Sequence, residues 1–255
     1  EQKADALNCY QQAFALSLDN PAYLLAVGEM LVVLDRSDEA LRLLTEKLNV
    51  FDQNAGLRVA IANIHLMHKR YSEAADFFQK AALLRPEDLQ IAEDLAQTQV
   101  AAGRHRDALR TLDRLLAQPE LAKRADLQRL SARANLAENR LNEAKNAYVR
   151  VSRLEPDDVD TWVRLGEISW TLGDLNATLL AASRITALNP RRHEGHLLAG
   201  MVWQKRNQLP QALQHFDRAA EAAPASAAPL ILRGLALQQA NQPEAAIEAY
   251  REALR

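Results

Sequence analysis

Apolar residues recur along this chain three and four positions apart, with polar residues between them, as at Ala6, Tyr10 and Ala13. That spacing places the apolar side chains on one face of an α-helix and predicts an all-helical protein. A longer period lies over it. Gly or Ala returns at Gly28, Ala62, Ala96, Ala132, Gly166, Gly200 and Gly234, about every 34 residues. Ala returns in step with it at Ala40, Ala74, Ala108, Ala144, Ala212 and Ala246, with a large residue four places on. Small residues at these places let two helices approach closely, and the large one fills the gap beside them. Gly or Asn follows at Gly103, Asn139, Gly173, Asn207 and Asn241, where a helix ends in the left-handed conformation. A proline such as Pro86, Pro156, Pro190 or Pro224 then stops the second helix.

The predicted organisation is a single array over 1–255. Residues 1–20 form a second helix without its first, and 21–54, 55–88, 89–122, 125–158, 159–192 and 193–226 are full repeats. The last repeat, 227–255, stops before its proline, and Lys123 and Arg124 fall outside the period. The chain has no initiator Met and opens mid-pattern, which suggests a segment of a longer protein.

Composition agrees with helices: 48% of residues are hydrophobic and only 8 are Gly. A formal charge of −2 supplies no global field to recruit nucleic acid or anionic lipid, so no nucleic-acid partner is expected. No apolar run reaches the roughly 18 residues of a spanning helix, so direct membrane insertion is not expected either. The expectation is a soluble protein, cytoplasmic or bacterial periplasmic. The lone Cys9 excludes an intramolecular disulfide.

Trp162, Leu165 and Gly166, closed by Pro190, follow a Trp-x2-Leu-Gly pattern that resembles the tetratricopeptide repeat family, although Ser169 and Thr178 depart from the family's Tyr and Ala. The resemblance covers essentially the whole chain. It implies a right-handed superhelical solenoid of tandem antiparallel helix pairs, whose first helices line a concave face.

No phosphate loop, nucleophile elbow or paired-cysteine signature is present, so no enzyme activity and no cofactor or metal are expected. The pairs His65/His68 and His193/His196 read as ordinary histidines. On the resemblance, the concave stripe includes Val59, Asn63 and Met67, then Glu93 and Gln97, then Arg129 and Arg133. It continues through Val163, Glu167 and Trp170 to Met201 and Gln204. A partner protein or peptide would be anchored by the apolar members and read by the charged ones, with Glu93 facing outward near Arg129 and Arg133. The constellation that such repeats use for acidic chaperone tails is absent, since its columns hold Leu25/Glu29, Val59/Asn63 and Glu93/Gln97. An asparagine ladder is missing too.

The expected function is therefore a non-catalytic interaction scaffold. The alternatives are a docking arm of an enzyme in the same chain and a scaffold of bacterial envelope or exopolysaccharide export. Two further expectations concern packing. Uncapped ends, with Leu7, Tyr10 and Phe14 at one and Ile247, Tyr250 and Leu254 at the other, would permit end-to-end self-association. The repeat 159–192, with Thr178 and Ala182 in place of the usual Ala and bulky residue, should have a loosely packed second helix.

Overall fold

The computed structural model describes residues 2–254, and among them the regular structure is α-helical with one short 3₁₀ turn. The chain divides into two compact units, the first ending at Ala122 and the second beginning at Lys123. In the first unit α1 (Gln2–Leu16) precedes three helix pairs. These are α2 (Pro21–Val33) with α3 (Ser37–Lys47), α4 (Ala55–Met67) with α5 (Tyr71–Leu84), and α6 (Leu89–Ala101) with α7 (His105–Leu116). The second unit has four: α8 (Ala125–Ala137) with α9 (Leu141–Leu154), α10 (Val159–Thr171) with α11 (Leu175–Leu188), α12 (His193–Lys205) with α13 (Leu209–Ala222), and α14 (Ala227–Gln239) with α15 (Pro243–Ala253). Within each unit helices pack on their partners and on the next first helix, which makes each a helical solenoid.

Local chemistry sets the ends of these helices. Asn20, Asn54, Asp88 and Asp158 cap α2, α4, α6 and α10 by accepting from backbone N–H groups of the first turn. At the other end, Arg85, Glu155, Asn189 and Ala223 each precede a proline and are extended, so α5, α9, α11 and α13 stop there. Each pair turns through a left-handed residue at Asp35, Lys69, Gly103, Asn139, Gly173, Asn207 or Asn241. The following N–H closes the turn onto a carbonyl of the first helix at 2.8–2.9 Å, as Arg70 does onto His65 and Asp174 onto Ser169. Lys69 holds this conformation, at φ 57°, with a β carbon that the αL region disfavours.

The core is made of large side chains laid over small ones. Leu44 lies over Gly28, Phe216 over Gly200 and Tyr250 over Gly234, so a β carbon at any of these glycines would meet the larger side chain. Phe78 and Leu112 occupy the equivalent place in α5 and α7 and are fully buried. The repeat 159–192 solves the problem differently. Ala182 is too small to cover Gly166, and Leu198 of α12, one repeat on, covers it instead. Thr178 is fully buried and satisfies its hydroxyl by donating to the Asp174 carbonyl at 2.8 Å. The expected looseness is therefore corrected on this side of the helix: Leu198, Ala182, Ile185, Val163 and Ala199 form one cluster.

The terminal helices also close more of their apolar surface than expected. Leu7 is buried, Phe14 packs on the core around α2, and Tyr250 lies against Leu237 and Ala246. Tyr10 and Leu16 in α1, and Ile247 and Leu254 at the other end, stay exposed.

The histidines of the two spaced pairs each meet a different neighbour. His65 stacks on Phe77, His68 meets the Ser37 hydroxyl at 2.8 Å, and His193 lies beside Glu194. His196 instead faces His215 of α13, their Nδ1 atoms 3.2 Å apart, so one donates its proton to the other. Burial lowers both pKa values; Arg218 lowers both further, the His196 charge adds to the effect on His215, and Glu221 partly offsets it at His196.

Two predictions follow from these contacts. Lys69→Gly relieves the left-handed β carbon and raises stability to urea by roughly 1 kcal/mol, whereas Gly103→Ala, whose β carbon would touch nothing, lowers it by a similar amount. Equal or opposite shifts would contradict the strain argument. Because folding depresses the pKa of His196 and His215, the unfolded chain takes up protons first as pH falls. Their contribution is full above the ordinary histidine pKa and is lost as pH drops below it. The thermal midpoint should fall more in the wild type than in His215→Gln between about pH 7.5 and about pH 5.5, a range above the carboxylate titrations. Equal falls would contradict the pairing.

Candidate functional site

The first helices carry the residues expected to meet a partner, and the two compact units treat them differently. In the first unit Asn63 and Met67 are exposed on α4 and Gln97 on α6, while Val59 is half-buried against the cluster that includes Phe78. Glu93, expected to face outward, is only 6% exposed. Val163 in the second unit is equally buried, under Leu198 and Ala199. Both are buried, although Arg129, at the same fifth place of its own repeat, lines an open hollow, so place in the repeat does not by itself decide burial.

Arg129 and Arg133, one turn apart on α8, come together in the second unit. They line a hollow of about 360 Å³ with Tyr148, Asp158, Thr161 and Arg164. Arg129 is bound to Glu155 and, at 3.0 Å, to Asp158. Burial works against its charge, but these two carboxylates outweigh it and raise its pKa. Asp158 is likewise held ionised: burial opposes its charge, and bonds from Thr161 and Arg129 overcome that and lower its pKa. Arg164 pairs with Glu167 at 2.9 Å, and Asp160 with Arg192 at 3.0 Å. Arg133 is the exposed cation of this hollow with no carboxylate partner among the described residues. Tyr148 forms the floor; burial raises its phenol pKa, and the nearby guanidiniums of Arg164, Arg133 and Arg129 oppose the shift.

Trp170, Met201 and Gln204 come together in a second hollow of about 500 Å³, which Lys205, Leu232 and Gln239 complete. Trp170 also borders a third, of about 440 Å³, with Thr171, Leu175 and Lys205. Its half-buried ring thus stands between two openings, and its indole N–H has no acceptor among the described residues. Lys205 is exposed and likewise without a carboxylate partner there. Gln204 and Gln239 bond to each other at 3.3 Å, which ties α12 to α14 at the edge of the hollow.

Sequence reasoning missed Tyr148, Arg164 and Leu232. The first was read as packing, because it occupies the column of Phe78 and Phe216, yet its ring also reaches the first-helix face. The burial of Val163 is the signal for the second, since it turns the stripe on α10 one residue further round, to Arg164. Among the described residues no group of three or more His, Cys, Asp or Glu converges as a metal site, and no helix is long and apolar enough to cross a membrane.

Comparison with known proteins agrees with this architecture. Solved structures share the fold at low identity. MamA from Desulfovibrio magneticus RS-1, residue 41 to the end, is 15% identical with a TM-score of 0.59, covering 66% of this chain and 94% of its own. The C-terminal part of a repeat-containing protein from Cytophaga hutchinsonii is 12% identical with a TM-score of 0.67, covering 90% and 93%. Naa15/Naa10 bound to HypK-THB gives 18% identity and a TM-score of 0.72 over 99% of this chain, which spans only 39% of that one. No curated protein matches the chain. Family models described as tetratricopeptide repeat match residues 65–134, residues 31–88 and 129–190, and residues 227–255. With those matches spread along its length, and with helix pairs closed by large-over-small contacts, this chain belongs to the tetratricopeptide repeat family.

Proposed function

We propose that this chain is a non-catalytic scaffold that binds an extended segment of a protein partner along the first helices of its second compact unit. The observation that carries this reading is the hollow beside Trp170, about 500 Å³ in volume. The half-buried ring of Trp170, a flexible Met201 and an aliphatic Leu232 surround a space open to solvent. Buried apolar anchors of this kind carry most of the energy of peptide binding. Arg133 and Lys205, both exposed and without carboxylate partners among the described residues, supply charge for acidic groups beside the anchor.

Arg129 has a different part. Its bonds to Glu155 and Asp158 already occupy it, so it fixes the wall of the first hollow instead of reading the ligand. On α4 and α6, Asn63, Met67 and Gln97 offer further contacts, while Glu93 and Val163 act through packing. The assembly of the similarly folded Naa15/Naa10 with HypK-THB supports a protein, rather than a small molecule, as the partner.

The test is recovery of partners from native extract by the wild type and by the Trp170→Ala, Arg133→Glu double variant, with helicity matched by circular dichroism. A specific partner should be recovered at least about tenfold less by the variant, since losing a central aromatic costs 2 kcal/mol or more, roughly a thirtyfold change in affinity. Equal recovery by both proteins would overturn the assignment.

A further inference from the structure

The position three residues beyond the small residue of each first helix is Leu31, His65, Gln99, Asn135, Ser169, Trp203 and Leu237 in turn. Its carbonyl closes the turn, and its side chain faces the second helices. His65 fills its place by stacking on Phe77, and Trp203 packs against the cluster of Ala212, Phe216 and Ala236. Gln99 accepts a bond from Thr111 at 2.9 Å. Ser169 is the smallest of the set, and its buried side chain, 1% exposed, lies at the inner end of a cleft of about 310 Å³ between α9 and α11.

The floor and walls of this cleft are apolar: Trp162 and Leu165 of α10, Val149 of α9, and Ala181 and Leu180 of α11. Trp162 is fixed in place, its indole N–H donating to the Pro156 carbonyl at 2.8 Å. Lys145, Arg153 and Arg184 complete the lining. Lys145 is bound to Asp174 at 2.6 Å, but Arg153 and Arg184 have no carboxylate partner among the described residues, and Arg184 lies 5.8 Å from the Trp162 ring centroid. The corresponding cleft between α5 and α7 in the first compact unit makes the contrast. It holds about 230 Å³, includes the bonded Gln99 in its lining, and carries its own carboxylate, Asp107, beside Arg110. A cleft with an apolar floor and unneutralised guanidiniums complements an apolar side chain flanked by carboxylates.

We propose that the cleft between α9 and α11 is a second docking site, which takes one bulky apolar side chain from an acidic segment of a protein partner. The site is independent of the first-helix hollows, because Ser169 and Trp170 are adjacent residues about 100° apart around α10. Trp162 supplies the surface on which the side chain rests, and Arg153 and Arg184 pair with its acidic neighbours. Ser169 determines access, since any of the larger residues found at this position in other repeats would occupy the floor.

The test is calorimetric titration of the full chain with the acetylated, amidated peptide EDFDE, with EDGDE as the control. Saturable binding of the first peptide alone is expected, weakened by salt, with a shift of the Trp162 indole N–H resonance. Ser169→Tyr restores the family's large residue, and should cut affinity at least tenfold with an unchanged or higher thermal midpoint. Arg184→Glu leaves the floor intact and should also cut it at least tenfold, which keeps the test decisive if the tyrosine variant misfolds. Both cleft variants are also read in a Trp170→Ala background, where the first-helix hollow has lost its anchor, so that their losses report the cleft alone. Absence of saturable binding, or wild-type affinity in both cleft variants, would overturn the proposal.

Discussion

The contact on which the rest of the structure depends is a large side chain set against a small one where two helices approach. At Gly28, Gly200 and Gly234 a β carbon would press on Leu44, Phe216 and Tyr250, which lie over them. This contact sets how close each pair comes and how far round each helix is turned. The helix caps, left-handed turns and terminating prolines then fix the length of each helix to fit it. Closely packed interiors do not tolerate an unfilled site of this size without cost. A repeat that loses its large residue must therefore recruit another or leave a hollow.

The repeat 159–192 does both, and this is why the functional features gather around α10. On one side, Ala182 leaves Gly166 uncovered, and Leu198 from the following repeat closes the gap. That contact joins α12 to α10, and Val163 lies in the same cluster as Leu198 and Ala199. On another side, Ser169 lies at the inner end of the cleft between α9 and α11, which no neighbour fills. On the open face, Trp170 stands between two hollows. One helix thus carries a borrowed core contact, a cleft beside Trp162 and a half-buried aromatic between two hollows.

Most of the fold is legible in the sequence because each constraint is local and repeated. Seven small residues in step, with prolines and Asn or Gly at matching places, leave little choice of architecture. Lys69 is not legible: its left-handed conformation is imposed by the turn that its neighbours close, and its residue type does not announce it. The site was half legible. Arg133 is exposed, and Arg129, Trp170, Met201 and Gln204 line hollows from half-buried places. Glu93 and Val163 are buried instead, since the burial of a fifth-place residue depends on how closely the neighbouring helices pack, which no single repeat encodes. Ser169 and Ala182 were visible as departures from the family pattern. Their consequences were not, because one is compensated by Leu198 and the other is uncompensated, and that difference arises between repeats.

The most direct measurement of this account is a double-mutant cycle on the borrowed contact, read by chemical denaturation. Leu198→Ala should lower stability by about 2–5 kcal/mol, as for a fully packed leucine. Ala182→Phe alone should also destabilise, because Leu198 already fills the space that the ring would enter. Combined, the ring takes the place of the missing leucine over Gly166, and the double variant should be more stable than the sum of the two losses by at least about 1 kcal/mol. Simple additivity would contradict the claim that one large side chain over one small one is the constraint that orders the array.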